Sequence, residues 1–442
     1  MGRTRRSRRR RKISGRCSRI DYQQELRTLG KWLRSQGWNP NCKLRVADFD
    51  ITGRGLMAGV DIKSGDKIMS IPCDILLTTN TVNLSDVGCL FHGTDNMFSA
   101  QEVLATFLLW ERQLGYHSKW FPYLDTLPPS FSTPVFCADD EIKMLHNHLL
   151  DAVVSQKQEV KDSFHRISDL ISTRKTCTYC DSNKFLDRME TFFTVEAFMW
   201  AWYVVNTRSI FYPVPLVTSR PSIKIKDKNC MALAPFLDLF NHSYDAVVDI
   251  EMSQNSYDII SRSCYSKYSQ VFINYGPHSN MKLFLEYGFI IPCNPHDSVD
   301  LTLEDLVDAV KRTKGIECIC SGAKYDYLLS HKLLENIFLC SEGLSFNARA
   351  AIYILISPEA SKLGYKSVYS SEFSKEEMYM LCMTGKKLVS VKRVEYQTIF
   401  GRMIGKETNQ CTSSFQVAKD LVTEYLTVLD KCEVSLSEMC QD

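Results

Sequence analysis

The 442-residue chain is long enough for two or three compact units, and its apolar content of 45% is ordinary for a folded protein. No uninterrupted apolar stretch reaches membrane-spanning length, and the N-terminus lacks the apolar segment of a secretion signal. Seventeen cysteines without such a signal predict reduced intracellular thiols rather than a disulfide framework.

The first 20 residues create a charge asymmetry. They carry ten of the 53 Lys and Arg residues and none of the 51 Asp and Glu residues, so the rest of the chain has a net charge of about −8. We predict a disordered basic tail over residues 1–20. Such a tail would serve nuclear import, contact nucleic acid through phosphate attraction without reading bases, or simply be solvated.

Helical and strand patterns alternate along the chain. Residues 21–38 place apolar side chains at helical spacing, and short alternating runs over residues 44–78 predict strands. From about residue 100 to residue 205 the pattern is helical and rich in aromatic side chains. Strand signals return at 231–291, and the chain is helical again after Pro295. The order is therefore strands, a helical insertion, strands and a helical C-terminal region.

Two polar or glycine-rich points interrupt the predicted strands. Gly53 and Gly55 in TGRGLMAG precede strands rather than a helix, so a dinucleotide fold is disfavoured. Such glycines mark a bulge or a close backbone approach, either to a ligand or to another strand. Asn241 and His242 end the apolar run of PFLDLFNHSYDAVVD. They can hydrogen-bond an adenine-like edge or hold crossing backbone segments together.

Two Tyr-Gly pairs and a cysteine pair complete the candidates. The Tyr-Gly pairs begin at Tyr275 and Tyr287, twelve residues apart, in QVFINYGPHSNMKLFLEYGF. Taken singly, aromatic residues in such apolar segments are typical of a core. Cys177 and Cys180 form a C-x-x-C pair that lacks two further ligands at matching spacing, which disfavours a zinc site.

In this order, the motifs together resemble a SET-domain methyltransferase. GRGL at 53–56 resembles the first cofactor loop of that family, and DLFNHS at 238–243 resembles its Asn-His-Ser motif. INYG at 273–276 is similar to the catalytic-tyrosine strand, and LEYGF at 285–289 is similar to the segment that closes the pocket. WFPYLDTLP at 120–128 resembles the subfamily of the RuBisCO large-subunit methyltransferase.

The resemblance implies an α+β fold, in which a SET β-fold of small sheets with a knot-like crossing is split by a helical insertion. A mostly α-helical C-terminal substrate-binding domain follows. The implied boundaries are a basic tail at 1–20, a helical lead-in at 21–45, the first SET part at 46–99, the insertion at 100–228, the second SET part at 229–291 and the C-terminal domain at 296–442.

The resemblance also implies S-adenosylmethionine as cofactor and no metal. Tyr275 is the implied catalytic residue, whose hydroxyl orients the reacting groups. Arg208 is the implied partner of the cofactor carboxylate, a role that suits its planar fork of donors. Relatives often carry an acidic residue at the position of Thr52. The implied cofactor-binding residues are Thr52, Gly53, Arg54, Arg208, Asp238, Leu239, Phe240, Asn241, His242, Tyr275 and Tyr287.

The implied activity is protein-lysine N-methylation, on histone tails or on non-histone proteins. One alternative is histidine methylation, although the residues after Arg208 (Ser209, Ile210 and Phe211) are mostly apolar and favour lysine. The other is a non-catalytic chromatin or RNA adaptor on a SET scaffold. We expect a monomer in nucleus and cytoplasm that has a protein substrate, no membrane contact and nucleic-acid contact only through the basic tail.

Overall fold

The computed structural model describes residues 17–20, 24–38, 43–173, 183–215, 222–314, 322–357, 373–406 and 411–440. The chain divides into two compact units. The first comprises residues 1–131 and 157–277, and the second comprises residues 132–156 and 278–442. The second unit therefore begins before residue 296 and also takes a short piece of the predicted insertion. Cys177 and Cys180 lie outside the described residues.

The strands of the first unit form small sheets. They are β1 (Cys17–Ile20), β2 (Leu44–Phe49), β3 (Gly53–Ala58), β4 (Lys67–Pro72), β5 (Ser209–Phe211), β6 (Met231–Leu233), β7 (Asn241–His242), β8 (Val248–Met252), β9 (Ser256–Ser261) and β10 (Gln270–Ile273). Among the described residues, the sheet orders are β1-β2-β3-β10-β7, β4-β9-β8 and β5-β6. Neighbouring strands pair antiparallel except β7 and β10, which are parallel.

The β2–β3 hairpin shows why this sequence forms strands. Ala47 and Phe49 of β2 lie two positions apart on one face, where they are buried and pack with Met57 of β3. The turn between the strands contains Gly53, whose φ of +66° is a left-handed conformation that favours glycine. The hairpin thus carries the predicted glycine loop at its tip.

Most of the helices lie in the predicted helical regions. The helices are α1 (Gln24–Ser35), α2 (Thr79–Asn83), α3 (Gly88–Phe91), α4 (Ala100–Leu114), α5 (Phe121–Leu124), α6 (Asp139–Ile142), α7 (Asn147–Thr173), α8 (Asn183–Phe192), α9 (Val195–Arg208), α10 (Asn280–Tyr287), α11 (Leu303–Lys314), α12 (Gly322–Ser330), α13 (Phe346–Ile356), α14 (Lys375–Gly405) and α15 (Ser413–Met439). The helix Asn280–Tyr287 instead lies within the range 231–291 that was predicted from strand signals, because Ser279 caps its start and Gly288 ends it. Two short helices at 79–91 also lie outside the predicted helical regions. Among the described residues, no helix is both long enough and apolar enough to cross a bilayer.

Two buried helices, α4 and α9, pack against each other. α4 begins with a capping box in which Ser99 and Glu102 each bond the other's backbone N–H, and it ends at Gly115. α9 begins at Thr194, whose hydroxyl accepts from the N–H of Ala197. The two helices are in contact along their apolar faces. This packing fixes the position of Arg208, the last residue of α9.

The predicted boundary of the basic tail is wrong at its end. Residues 17–20 form β1, with Cys17 opposite Phe49 and Ile20 opposite Ala47. The reason is backbone pairing, because an edge strand such as β2 offers unpaired N–H and carbonyl groups to any extended segment beside it. Residues 1–16 lie outside the described residues.

The second unit is mostly helical and also contains a small sheet. Its strands are β11 (Ser298–Asp300), β12 (Phe338–Cys340) and β13 (Gly343–Leu344), paired in that order. The long helices α14 and α15 pack against each other and bury Leu388 and Leu429. A buried lysine on α14, Lys392, pairs with Asp305 at 3.0 Å and with Glu395 at 3.1 Å. These pairs satisfy a cation that would otherwise be costly to bury.

Candidate functional site

Two parallel strands bring the Asn-His pair beside the strand that precedes the first Tyr-Gly pair. Asn241 of β7 lies opposite Phe272 of β10, and His242 lies opposite Ile273. The backbone N–H of Ser243 extends this pairing by donating to the Ile273 carbonyl at 3.0 Å. Because both strands run in the same direction, the polar residues that follow them meet at one end of the sheet.

Asn241 connects these strands to the glycine loop. Its Nδ2 donates to the Arg54 carbonyl at 3.1 Å and to the Thr52 carbonyl at 3.5 Å. Gly55 makes this approach possible, because a Cβ at that position would lie 2.7 Å from Asn241 Nδ2. A Cβ on Gly53 would have nothing within 4 Å, so Gly53 is needed for its positive φ rather than for space. The close approach at Gly55 is therefore to another segment of the chain.

Gln270 belongs to the same cluster and was not identified from the sequence. Its side chain is 2% exposed, and its Oε1 accepts from Thr52 Oγ1 at 2.9 Å. Its Nε2 has no hydrogen-bond partner among the described residues and lies 2.7 Å from the Cβ position of Gly55. The available signal was a polar residue at the start of the otherwise apolar strand QVFI. Gln270 thus anchors the glycine loop from β10.

Tyr275 is fixed at both ends by the segment that contains the Asn-His pair. Its hydroxyl donates to the Phe240 carbonyl at 2.5 Å. Its backbone N–H donates to Nδ1 of His242 at 3.1 Å, which requires that ring nitrogen to be unprotonated. The two rings are stacked with centroids 5.1 Å apart. The hydroxyl proton of Tyr275 is therefore directed at the backbone, which fixes the position of its oxygen.

Arg208 and Asp238 form a buried ion pair. Arg208 Nη1 donates to the Asp238 carboxylate at 3.2 Å and to the Asp238 carbonyl at 3.1 Å. Burial raises the pKa of Asp238, and the positive charge of Arg208 opposes this shift. Arg208 Nε is buried and has no hydrogen-bond partner among the described residues. The protein thus holds the guanidinium through Nη1, and the Nε donor is unused.

The WFPYLDTLP segment contacts three of these site elements. The Tyr123 hydroxyl donates to the Asp238 carboxylate at 2.9 Å. Arg54 Nη2 donates to the Thr126 carbonyl at 2.7 Å. Trp200 Nε1 of α9 donates to the Pro128 carbonyl at 2.9 Å. These partners were not identified from the sequence, because nothing in the local pattern shows which distant backbone carbonyls a segment presents.

The turn before Asn241 is strained and internally bonded. Phe236 has a φ of +74°, an uncommon conformation for a bulky residue, and its ring packs against Trp38 with centroids 4.9 Å apart. The N–H groups of Asp238, Leu239 and Phe240 donate to carbonyls within this turn, and the last two side chains are buried. These residues support the site, and their direct contact with a cofactor stays a prediction.

Tyr287 belongs to the second unit. It is the last residue of α10, its pKa is raised by burial, and its ring lies near His278 with centroids 6.4 Å apart. Its predicted place in the wall of a cofactor pocket stays a prediction. The other predicted site residues lie in the first unit, where bonds connect the glycine loop, the Asn-His segment, Tyr275 and Arg208.

The donor set of the site suits an organic ligand with an anionic group. Arg208 offers a cation with an unused donor. Arg54 borders a cavity of about 430 Å³, but Glu25, Asp48 and Asp125 also line it, so the suitability for an anion rests on Arg208. Within the ranges that the structure describes, no three or more His, Cys, Asp and Glu side chains are placed to hold a metal ion.

Comparison with known proteins shows close sequence relatives. The chain is 33% identical over 360 residues to human SET domain-containing protein 4, a match that covers 80% of this chain and 78% of the relative. Identity to the mouse protein of the same name is 35%, covering 84% and 82%. The zebrafish (Danio rerio) actin-histidine N-methyltransferase is 26% identical, covering 60% of this chain and 43% of the relative. No family model matches the chain.

Solved structures share the fold. The SET domain of LSMT bound to methyllysine and AdoHcy matches with a TM-score of 0.63 and 19% identity, covering 95% of this chain and 93% of that one. Rubisco LSMT bound to AdoMet matches with a TM-score of 0.62 and 18% identity, covering 95% and 93%. At this identity, the likeness concerns the fold.

Proposed function

Because the chain belongs to the SET domain-containing protein 4 family and has the SET-domain methyltransferase fold, we propose that it is an S-adenosylmethionine-dependent protein-lysine N-methyltransferase. The resemblance drawn from the motifs and the predicted α+β class are confirmed. The observation that carries the proposal is the junction of Asn241, the glycine loop and Tyr275, formed by bonds between three distant chain segments.

The first unit fits S-adenosylmethionine, which would supply a methyl group on a sulfonium. AdoMet and AdoHcy are bound by the structural neighbours. Here the unused Nε of Arg208 suits the carboxylate of that cofactor, since the guanidinium is held by Asp238 and offers a fixed positive charge. Main-chain groups beside Gly53 and His242 would hold the rest. Arg54, anchored on Thr126, keeps the glycine loop in place.

Tyr275 is the proposed catalytic residue. Its hydroxyl proton is committed to the Phe240 carbonyl, so its oxygen would act toward a substrate as an acceptor. An acceptor fixed in this way orients an incoming amine for in-line displacement, and such alignment contributes up to about 7–11 kcal/mol in the best intramolecular cases. The bond to His242 and the stacked rings restrict Tyr275 further, which limits the reorganisation needed during the reaction.

A lysine acceptor must lose its proton before it can react. Its unperturbed pKa is about 10.4, so desolvation and repulsion by a nearby cation must favour the neutral amine. The cofactor sulfonium would act in that direction. This mechanism needs no dedicated base, provided that water removes the proton.

Histidine methylation is the second candidate, because actin-histidine N-methyltransferases are relatives of the chain. LSMT was solved with lysine and methyllysine, which favours the lysine proposal. Incubation of the protein with labelled S-adenosylmethionine and a proteome extract, followed by peptide mass spectrometry, distinguishes the two. We expect labelled lysine, and label on histidine alone would overturn the lysine assignment.

The proposed substrates are protein segments with an accessible lysine, including histone tails, in nucleus and cytoplasm. The net charge of about −8 outside the first 20 residues favours basic partners. The same extract experiment identifies them when wild type is compared with Tyr275→Phe. A failure to bind S-adenosylmethionine in calorimetry would instead support the non-catalytic adaptor.

A further inference from the structure

Tyr123 has a fully buried side chain that reaches the ion pair of the site. It lies on the single turn of α5, is 0% exposed, and donates its hydroxyl to the Asp238 carboxylate at 2.9 Å. A buried hydroxyl usually finds a partner. Here that partner is the Asp238 carboxylate, which also accepts from Arg208. Tyr123 therefore affects the guanidinium indirectly, through Asp238.

The turn that carries Tyr123 is also bonded to the glycine loop. The Tyr123 carbonyl accepts from the Thr126 hydroxyl at 2.7 Å, and the Thr126 carbonyl accepts from Arg54 at 2.7 Å. The segment from Tyr123 to Thr126 therefore contacts the two arginines of the site, Arg208 through Asp238 and Arg54 through the Thr126 carbonyl. A shift of this segment would move both.

The charged and titratable groups that face Asp238 are Arg208, Tyr123 and Arg54. Burial raises the pKa of the Asp238 carboxyl, and each of these three groups opposes that shift. Burial also raises the pKa of Tyr123 well above its ordinary value, so this residue remains a donor at neutral pH. A protonated Asp238 would itself be a donor facing the donors of Tyr123 and Arg208.

We propose that Tyr123 is a positioning residue for cofactor binding, because its hydroxyl holds the same Asp238 carboxylate oxygen that accepts from Arg208, and this carboxylate aims Arg208 at the cofactor carboxylate. This inference rests on the proposed function, since it assumes that S-adenosylmethionine binds at Arg208. It assigns no chemical step to Tyr123. The consequence is that cofactor affinity rises with pH as Asp238 ionises, and that loss of the Tyr123 hydroxyl moves this rise to higher pH.

Calorimetric titration of S-adenosylmethionine into the full chain between pH 5 and pH 9 tests the proposal. Tyr123→Phe should weaken binding about tenfold at neutral pH and shift the pH profile upward by about one unit, because a hydrogen bond to a charged group is lost. Turnover at saturating cofactor should change little. Tyr257→Phe is the matched control, since Tyr257 is also buried in the first unit and does not face Asp238.

Asp238→Asn separates positioning from a general loss of structure. This variant keeps the shape of the side chain but cannot ionise, so its affinity should be weak and independent of pH. Adding Tyr123→Phe to Asp238→Asn should then have little further effect, whereas independent roles would give additive losses. A Tyr123→Phe profile that superimposes on wild type would overturn this inference alone. Absence of binding by wild type would overturn the proposed function as well.

Discussion

The two Tyr-Gly pairs are identical in sequence, but a different residue of each pair has the structural role. In the pair after β10 this residue is the tyrosine, because the Tyr275 hydroxyl donates to the carbonyl of Phe240, which lies 35 residues away in sequence. In the pair at the end of α10 this residue is the glycine, which terminates the helix. Gly288 has a φ of +81°, and its N–H donates to the carbonyls of Leu283 and Phe284, which ends the helix.

The comparison teaches that a dipeptide acquires its role from the element that it follows. A strand end leaves the next side chain beside neighbouring strands, where it can bond a distant segment. A helix end needs a left-handed residue to satisfy its last carbonyl groups. Four changes test this difference between the two pairs and their surroundings.

Replacement of Tyr275 should have the largest effect. Tyr275→Phe should reduce turnover roughly 10²–10³-fold, since it removes a fixed polar group from the reacting centre, and should leave cofactor affinity nearly unchanged. Tyr287→Phe is the matched control, and its turnover should fall less than about threefold because the ring remains. Rates at saturating labelled S-adenosylmethionine measure both. Equal losses in the two variants would contradict the distinction.

Gly288→Ala should destabilise the second unit by about 3 kcal/mol, because alanine is strained at positive φ and its Cβ would be crowded. That Cβ would lie 2.7 Å from Ser132 Oγ and 2.8 Å from the Thr133 nitrogen. Gly322→Ala is the control, since a Cβ there would have nothing within 4 Å. Urea midpoints measure the difference, and an unchanged midpoint for Gly288→Ala would show that the cap is dispensable.

The start of α10 should respond to pH. Asp297 accepts from the N–H of Asn280 at 3.0 Å and from its Nδ2 at 2.8 Å, and burial raises the Asp297 pKa from 3.8 to about 6. Between these values the folded state keeps a proton that the unfolded chain releases, so this residue's contribution to stability falls as pH rises.

Asp297→Asn removes this titration. Relative to the variant, wild type should lose about 2–3 kcal/mol of unfolding free energy between pH 4 and pH 7. Urea unfolding at several pH values measures this loss. A constant difference between the two proteins across that range would refute it.

Gly55→Ala should have the smallest effect of the four. Its Cβ would crowd the side-chain nitrogens of Asn241 and Gln270, each 2.7 Å away, and would push apart the segments that surround Tyr275. We expect about tenfold weaker binding of S-adenosylmethionine, which corresponds to about 1.4 kcal/mol. Gly401→Ala in the second unit is the control, with nothing within 4 Å of its Cβ. Calorimetry decides, and identical affinities would argue against a role for the Gly55 approach.

Local patterns predicted the elements that carry the site. The helical region predicted from about residue 100 to residue 205 contains the helices Ala100–Leu114 and Val195–Arg208, because helical periodicity acts within a few residues. Asn241 was identified as a polar interruption of an apolar run, with its ligand-binding and chain-crossing roles left open, and its bonds to the glycine loop show that it joins two distant segments. The strand at residues 17–20 was missed because its partner β2 is an edge supplied by the fold.

The sequence by itself determined the family, the α+β class and the order of the motifs, because each motif is a short run that can be recognised from its own residue types. Only the tertiary structure decided the pairing of Asp238 with Arg208 and Tyr123, and the burial of Gln270 beside Gly55. The physical reason is the sequence distance over which each interaction acts. Capping and strand alternation act over a few positions, whereas a buried charge must be neutralised by whichever distant groups the packed chain places within about 3 Å of it.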